Sequence, residues 1–455
     1  MRLTLKEIAA AVGGRLTKED LNAAEVTVVS TDSRNIPAGA LFVPIAGIRF
    51  DGHDFLKEAF DKGAMCAFVH KEIHMDRPMI LVKDTGQALL DLSSYYISQV
   101  APKTVAITGS SGKTTTKDIL ASVLARGFKT HKTVGNFNNH IGLPLTLLNM
   151  PEDTEAAVLE MGMNHLGEIS ILSRTAKPDI AVITNIGVAH LENLGSRAGI
   201  LRAKLEILEG LKPGGLALFN GDNDMLKGLR FDGPLYKFIT RFYGIGPGHW
   251  CYGENIVKDG VRGVSFTAHC EGHRFDVRVP VPGTHMVYNA LSAVGVGIAL
   301  GLAPDEIREG IETFTPSGLR LGITTNKMGV TVIDDAYNSN PDSVEAALDV
   351  LKEAPGRKIA VLGDMLELGP EGPSMHESSG KGAVKAGIDL VLCAGELSRH
   401  FCEGAIQAGG RAEHFADKES IISYLKRELQ PGDTVLIKAS RGAAFEEISK
   451  SLQEV

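Results

Sequence analysis

The stretch TVAITGSSGKTTT, residues 104–116, sets an apolar run directly against a glycine-rich loop and the start of a helix. An apolar run without alternation suits a strand of a parallel sheet, buried on both faces. The helix that follows carries Ile119, Leu120, Val123 and Leu124 on one side, with Gly127 as its expected stop. A loop between such a strand and such a helix aims several backbone N–H groups at one point, at the positive end of the helix dipole. The common phosphate loop, Gly-x4-Gly-Lys-[Ser/Thr], needs a glycine at 107, and that residue is Ile107. What remains is a shortened Gly-x-x-Gly-Lys-Thr. In it Gly109 and Gly112 admit an anion without a Cβ in the way, Lys113 reaches toward β- and γ-phosphates, and Thr114 offers a hydroxyl to Mg2+. A structural turn is the plain alternative, and the strand–loop–helix setting favours a nucleotide loop.

The same alternation of apolar run and helix continues outward through AAVLEMG, DIAVITNIG and GGLALFNGD. A β-rich stretch (263–282) and the helix HMVYNALSAVGVGIALG close that block. A second open α/β unit begins near PSGLRLG (316–322) and runs through GVTVIDDAYNS, KIAVLGDM, IDLVLCAG and DTVLIKAS. Its polar residues stand just past strand C-terminal ends, where such sheets bind ligands. Residues 1–99 mix short helices with strands such as EVTVVSTD and ALFVPIAG. The expected fold class is therefore α/β in three domains: a small mixed α/β domain (1–99), a central P-loop-type domain with a mostly parallel sheet (100–316), and a C-terminal Rossmann-like α/β domain (317–455).

Composition narrows the function. The 455 residues carry a net charge of −8, which argues against nucleic-acid or anionic-membrane binding. No apolar run is long enough to cross a bilayer. The start, MRLTLKEIAAAVGG, reads as an amphipathic helix with a Thr4–Glu7 capping box rather than as a signal peptide. Five scattered cysteines (66, 251, 270, 393 and 402), odd in number and without CxxC spacing, suit free thiols in a reducing cytoplasm. His269-Cys270-Glu271-Gly272-His273 imitates a zinc site, but it sits between two alternating runs and reads better as a hairpin turn.

Three further polar residues fall where strands of the central sheet should end, or just beyond: Glu160 in AAVLE, His190 in NIGVAH and Lys204 in AKLEI. A buried Glu or His is usually a satisfied core group, and a lysine on a helix is usually a surface residue. Beside a Mg2+-triphosphate, Glu160 and Thr114 would supply the oxygen ligands that a hard cation prefers.

Taken together, GSSGKTTT, GNFNNHIGLPLTLL, EMGMNHLGEI, TNIGVAHLENLGS and AKLEI resemble the Mur ligases, in that family's order. STDSRNIPAGALFVPIAGIRFDGHDF is similar to the family's segment for a uridine-diphosphate sugar, making the first domain a uridine-nucleotide-binding one. IDDAYNSNPDS, LGDMLELG and KASRG resemble the one branch that adds D-alanyl-D-alanine to UDP-N-acetylmuramoyl-tripeptide. The resemblance implies an ATP-dependent amide ligase working through an acyl phosphate, in the cytoplasm and as a monomer, for peptidoglycan synthesis. It implies ATP held by Gly109, Ser110, Ser111, Gly112, Lys113, Thr114 and Thr115, with Asn289 and Asp335 on adenine and ribose and Arg320 reaching the phosphates from the third domain. It implies two Mg2+ ions, Thr114 and Glu160 holding the first, and His190 the second together with Lys204 as a carbamate. Asp32, Ser33 and Arg34 are expected at the uridine diphosphate, and Asn138 and Asn139 along the sugar-peptide groove. Asn338, Asn340, Ser440 and Arg441 are expected at D-alanyl-D-alanine or the substrate carboxylate. In IDDAYNSNPDS, Asp342 or Ser343 would also suit a helix start. Met163, Leu319, Gly442 and Phe445 depart from the family pattern. Rival readings are a Mur-type ligase adding a single amino acid, a folylpolyglutamate-synthase-like ligase, and an ATP-gated scaffold without catalysis.

Overall fold

The apolar runs of the sequence become the strands of three large sheets, beside a small two-stranded one. The computed structural model describes residues 1–47, 50–230, 237–318 and 321–454. Among them the central sheet has nine strands, in the spatial order His273–Val279, Val264–Cys270, Cys251–Lys258, Ile239–Ile245, Leu216–Asn220, Ile180–Ile183, Lys103–Thr108, Ala156–Glu160, Thr130–Lys132. Pairing is parallel from Cys251–Lys258 to the Thr130–Lys132 edge and antiparallel in the two strands at the opposite edge.

Strand periodicity explains why the runs are apolar throughout. Val105, Ile107, Val158 and Val182 face one layer, while Ala106, Leu159 and Ile183 face the other. Ile119, Leu120, Val123 and Leu124 of the helix Lys113–Leu124 are completely buried in the first of these layers. Each such side chain stabilises the fold by roughly 1.5–3 kcal/mol. That outweighs the weak helix propensity of the threonines at 114–116. The expected stop at Gly127 needs correction. The helix ends at Leu124 with Ala125 as its cap, and Gly127 is glycine for packing, since a Cβ there would overlap Leu302.

The strand Lys103–Thr108 lies between Ala156–Glu160 and Ile180–Ile183, at the point where the chain reverses its direction across the sheet. Crevices at such points are where open α/β sheets bind ligands. Register fixes what gathers there: Glu160 pairs with Ile107 and Ile183 with Thr108, so Gly109, Met161 and Thr184 leave the same edge.

The N-terminal sheet has the order Arg15–Leu16, Met79–Leu81, Cys66–Val69, Leu41–Phe42, Val29–Ser30, parallel except for the first strand. EVTVVSTD is not one strand: Glu25–Val26 pairs with Leu3–Thr4, and Val29–Ser30 joins the larger sheet. Thr4 and Glu7 form the expected capping box on the helix Leu5–Ala11. One apolar cluster runs without a break from Leu5, Leu89 and Tyr96 of the first domain to Leu147, Leu159 and Ile183 of the second.

The C-terminal sheet has the order Gly322–Thr325, Thr331–Asp334, Thr434–Lys438, Lys358–Gly363, Leu390–Ala394, Ala412–Phe415, again parallel except for its first strand. It packs around its own two clusters. Val264–Cys270 and His273–Val279 form the expected hairpin, with Glu271 and Gly272 both at positive φ in the turn. His269 bonds Glu254 at 2.8 Å, and all five cysteines are free and buried. No helix among the described residues is long and apolar enough to cross a membrane.

Candidate active site

The phosphate loop is held from its neighbour strand. Thr184 and Asn185 follow the strand Ile180–Ile183 directly, which brings them against residues 109–111. Thr184 Oγ1 donates to Ser111 O (2.6 Å), and Asn185 O accepts the Ser110 N–H (3.1 Å). Asn185 Oδ1 accepts the Ser111 N–H (2.9 Å), its Nδ2 donates to Ser111 Oγ (2.6 Å), and Ser110 Oγ accepts the Gly187 N–H (2.9 Å). The two glycines answer to protein neighbours as well as to an anion. A Cβ at Gly109 (φ 155°) would overlap Thr184 Oγ1, and one at Gly112 (φ 78°) would lie 3.0 Å from Asn289 Oδ1. Lys113 Nζ donates to Gly109 O at 2.8 Å, folding over the loop.

Behind the loop, Thr114 Oγ1 donates to Glu160 Oε2 (2.8 Å), and Asn138 Nδ2 donates to Glu160 Oε1 (2.9 Å). Glu160 is 2% exposed. A buried carboxylate touching a hydroxyl, one step from a phosphate loop, is an oxygen set that fits a hard divalent cation. Lys204, on the helix Arg197–Leu205, is completely buried, contrary to the plain alternative of a surface lysine. Burial, and then the Lys113 charge, hold its amine well below the usual lysine value. An uncharged amine is the form that can add carbon dioxide, so this site fits a carbamate.

The third domain closes over the same place. A cavity of about 400 Å³ is lined by Ser110, Ser111, Gly112, Lys113 and Thr115, by His285 and Asn289 of the helix His285–Ala299, and by Asp335, Asn338, Asn340 and Asp342. Asn289 Oδ1 accepts from Thr116 Oγ1 at 3.2 Å, tying that helix to the loop helix. Asp335 is gripped by the buried Lys438, whose Nζ donates to Asp335 Oδ2 (2.5 Å) and to Asn338 O (3.0 Å). Asn340, rather than Asp342 or Ser343, caps the helix Pro341–Lys352, and its side chain accepts the Ser343 N–H at 2.9 Å. That frees Asp342 to pack on Gly187, where a Cβ would overlap its Oδ2. Ser440 Oγ accepts the Leu366 N–H (3.0 Å), and Arg441 stands 5.5 Å over the Tyr337 ring. The tether into the third domain is fastened to the loop helix: Asp118 Oδ2 accepts both the N–H and the hydroxyl of Ser317 (3.0 and 2.6 Å).

The other expected residues that are described lie apart from the cavity. Arg320 is outside the described residues. His190 Nδ1 faces the third domain, 2.6 Å from Glu367 Oε2. Asn139 Oδ1 accepts the Ile141 and Gly142 N–H groups and shapes its loop. Asp32 and Arg34 form a two-point ion pair (2.9 and 2.9 Å) just after the strand Val29–Ser30, with Ser33 between them. The bonds from Arg34 lower the Asp32 carboxyl to about 2. One further group of three among the described residues, Asp51, His53 and His70, has metal-like spacing. Both ring nitrogens of His53 are engaged, Nδ1 2.6 Å from Asp51 Oδ1 and Nε2 accepting the His70 N–H at 3.4 Å, so the group fixes a turn.

Sequence reasoning missed Thr184, Asn185, His285, Asp342 and Lys438 as site residues. The available signal was position alone: each stands within a few residues of a strand C-terminal end or a helix start, in the central domain for Thr184, Asn185 and His285 and in the third for Asp342 and Lys438.

Residues 107–297 match the family model described as "Mur ligase middle domain", 319–441 match "Mur ligase, glutamate ligase domain", and 25–102 match "Mur ligase family, catalytic domain". The chain is 40% identical to the UDP-N-acetylmuramoyl-tripeptide–D-alanyl-D-alanine ligase of Bacillus subtilis (strain 168), with 100% of this chain and 99% of the relative covered. A crystal structure of MurF from Acinetobacter baumannii superposes with a TM-score of 0.93 at 33% identity, covering 100% and 99% of the two chains. MurF ligase from Thermotoga maritima in complex with ADP gives 0.83 at 29% identity, covering 94% and 97%.

Proposed function

The chain belongs to the Mur ligase family, and from that premise we propose which of its residues carry out the ATP-dependent joining of D-alanyl-D-alanine to UDP-N-acetylmuramoyl-tripeptide. The product is the pentapeptide precursor of peptidoglycan. The observation that carries the assignment is the cavity shared by the phosphate loop and the third domain, because two substrates and ATP must meet in one place.

In this reading the tripeptide carboxylate attacks the γ-phosphorus, ADP leaves, and an acyl phosphate forms. The dipeptide amine then attacks the carbonyl carbon, phosphate departs and the amine loses a proton. Residues 109–115 cradle the triphosphate, and Lys113 offsets charge as the carboxylate approaches. Thr114 and Glu160 would hold one Mg2+, and His190 with a Lys204 carbamate a second. When bound, these ions supply neutralisation of the triphosphate charge. Asn289 and Asp335 are assigned to adenine and ribose, and Arg320 to the phosphates. Asp32, Ser33 and Arg34 take the uridine diphosphate, with Asn138 and Asn139 along the sugar-peptide groove. Asn338, Asn340, Ser440 and Arg441 orient the incoming dipeptide or the carboxylate it meets. The corresponding division is 1–99 for the nucleotide-sugar, 100–316 for ATP and 317–455 for closure. The free buried thiols support a cytoplasmic setting, and we expect a monomer.

The test is ADP release by the purified chain, given lysine- or diaminopimelate-containing tripeptides with D-alanyl-D-alanine or with single amino acids. Turnover with the dipeptide is expected. Turnover only with a single amino acid would overturn the dipeptide assignment. Lys204→Ala is expected to lose activity and to regain part of it with short carboxylic acids. Absence of rescue would count against the carbamate.

A further inference from the structure

The loop after the central strand Ile180–Ile183 and the loop after the third-sheet strand Lys358–Gly363 meet at one point outside the nucleotide cavity. There His190 Nδ1 lies 2.6 Å from Glu367 Oε2. The Glu192 N–H donates to Glu367 O at 3.3 Å, and a Cβ at Gly369 would stand 3.4 Å from Glu192 Cα. His190 and Glu367 both adopt φ 64°, in the left-handed region that non-glycine residues rarely occupy. The ring contact is short but off the line of a hydrogen bond, and Nδ1 has no hydrogen-bond partner among the described residues.

A chance contact between two lobes would not require unusual backbone on both sides. Strain of this kind persists where the surroundings over-determine it, and it gathers at functional and switching sites. Histidines that ligate a metal commonly give their other ring nitrogen to a carboxylate, which fixes the ring and strengthens it as a donor. We propose that Glu367 is a positioning residue for His190: its carboxylate, packed against Nδ1 as an ion-pair partner, orients the ring so that Nε2 is left for the metal, and docking of the third domain completes a ligand that the central domain carries. The inference rests on the assignment of His190 to a metal ion. It gives Glu367 of the LGDMLELG motif a role distinct from binding either peptide substrate. It also makes metal affinity depend on lobe closure.

Mn2+ titration of the full chain in the presence of ADP, read by electron paramagnetic resonance, tests this on wild type, His190→Ala, Glu367→Ala and Glu367→Gln. The expected result is that His190→Ala removes one of two classes of Mn2+ site. Both Glu367 variants should weaken that same class about 10–100-fold, as loss of an outer carboxylate partner commonly does. The double variant His190→Ala/Glu367→Ala should be no worse than His190→Ala alone. Glu367→Gln keeps the side-chain shape, so a loss shared with Glu367→Ala cannot be put down to a packing defect. If His190→Ala removes a site while both Glu367 variants bind Mn2+ as wild type does, Glu367 is only a lobe contact and the proposal falls. If His190→Ala leaves both sites intact, the ligand assignment itself is wrong and the proposal falls with it.

Discussion

Replacing Asn185 by alanine deletes two side-chain hydrogen bonds to the phosphate loop, from the Ser111 N–H (2.9 Å) and to Ser111 Oγ (2.6 Å). A typical intramolecular hydrogen bond contributes about 0.5–1.5 kcal/mol net, so the pair is worth about 1–3 kcal/mol. The backbone bond from Ser110 to Asn185 and the Thr184 bond to Ser111 remain, and the loop therefore loosens without unfolding. A nucleotide binding to the loosened loop must supply the lost order itself. At 1.4 kcal/mol per tenfold, the dissociation constant for ADP should rise about 5- to 150-fold. Calorimetric titration with ADP and Mg2+ measures that change, and urea unfolding of the same samples measures the stability cost. Unchanged ADP affinity in a variant that has lost stability would refute the idea that Asn185 preorganises the loop. Asn185→Asp is the informative companion: it keeps an acceptor for the Ser111 N–H while placing an anion beside the expected phosphates. Its affinity should fall further than that of the alanine variant.

Lys113→Ala should lower the ligation rate by about a hundredfold or more, on the order of 3 kcal/mol of lost transition-state stabilisation, with the unfolding curve unchanged. Turnover equal to wild type would contradict its role. Burial, and then the Lys113 charge, depress the folded value of the Lys204 amine, so the unfolded chain holds that proton up to a higher pH than the folded chain does. In carbonate-free buffer stability should therefore rise as pH climbs toward the unfolded lysine value of about 10.4, and Lys204→Met should flatten that slope in urea unfolding. A slope unaltered by the substitution would show that the buried amine is charged. Gly187→Ala should push Asp342, and with it the third domain, off the loop. X-ray scattering should give a larger radius of gyration and assays a kcat/KM at least tenfold lower. Recovery in Gly187→Ala/Asp342→Ala would confirm the clash as the cause.

Much of the scaffold was readable because its signals are local. Continuous apolar runs such as Val105–Ile107 marked strands covered on both faces, the hairpin at Glu271–Gly272 was written in its turn residues, and the Thr4–Glu7 box announced a helix start. Lys113, Thr114 and Glu160 stood out for the same reason, each ending or opening an element in a recognisable pattern. Errors arose where two local signals competed. Gly127 looked like a helix stop but serves packing against Leu302, and Asn340 took the cap that Asp342 or Ser343 also suited. What could not be read were the long-range pairs: Asn185 to Ser111, Lys438 to Asp335, and Glu367 to His190. A side chain's partner across the fold leaves no trace in the spacing of its own segment.

The apolar cluster that joins the first sheet to the second has a consequence for substrate choice. Those two sheets form a single anvil, while the third domain packs around apolar clusters of its own. With Asp32 and Arg34 assigned as proposed to the uridine end, that anchor and the phosphate loop at Lys113 stand a set span apart, like the jaws of a calliper. A peptide one residue too short or too long would miss the loop by roughly 3.3–3.6 Å. Chain length is then measured by the spacing of two ends, without any contact to the residue being counted.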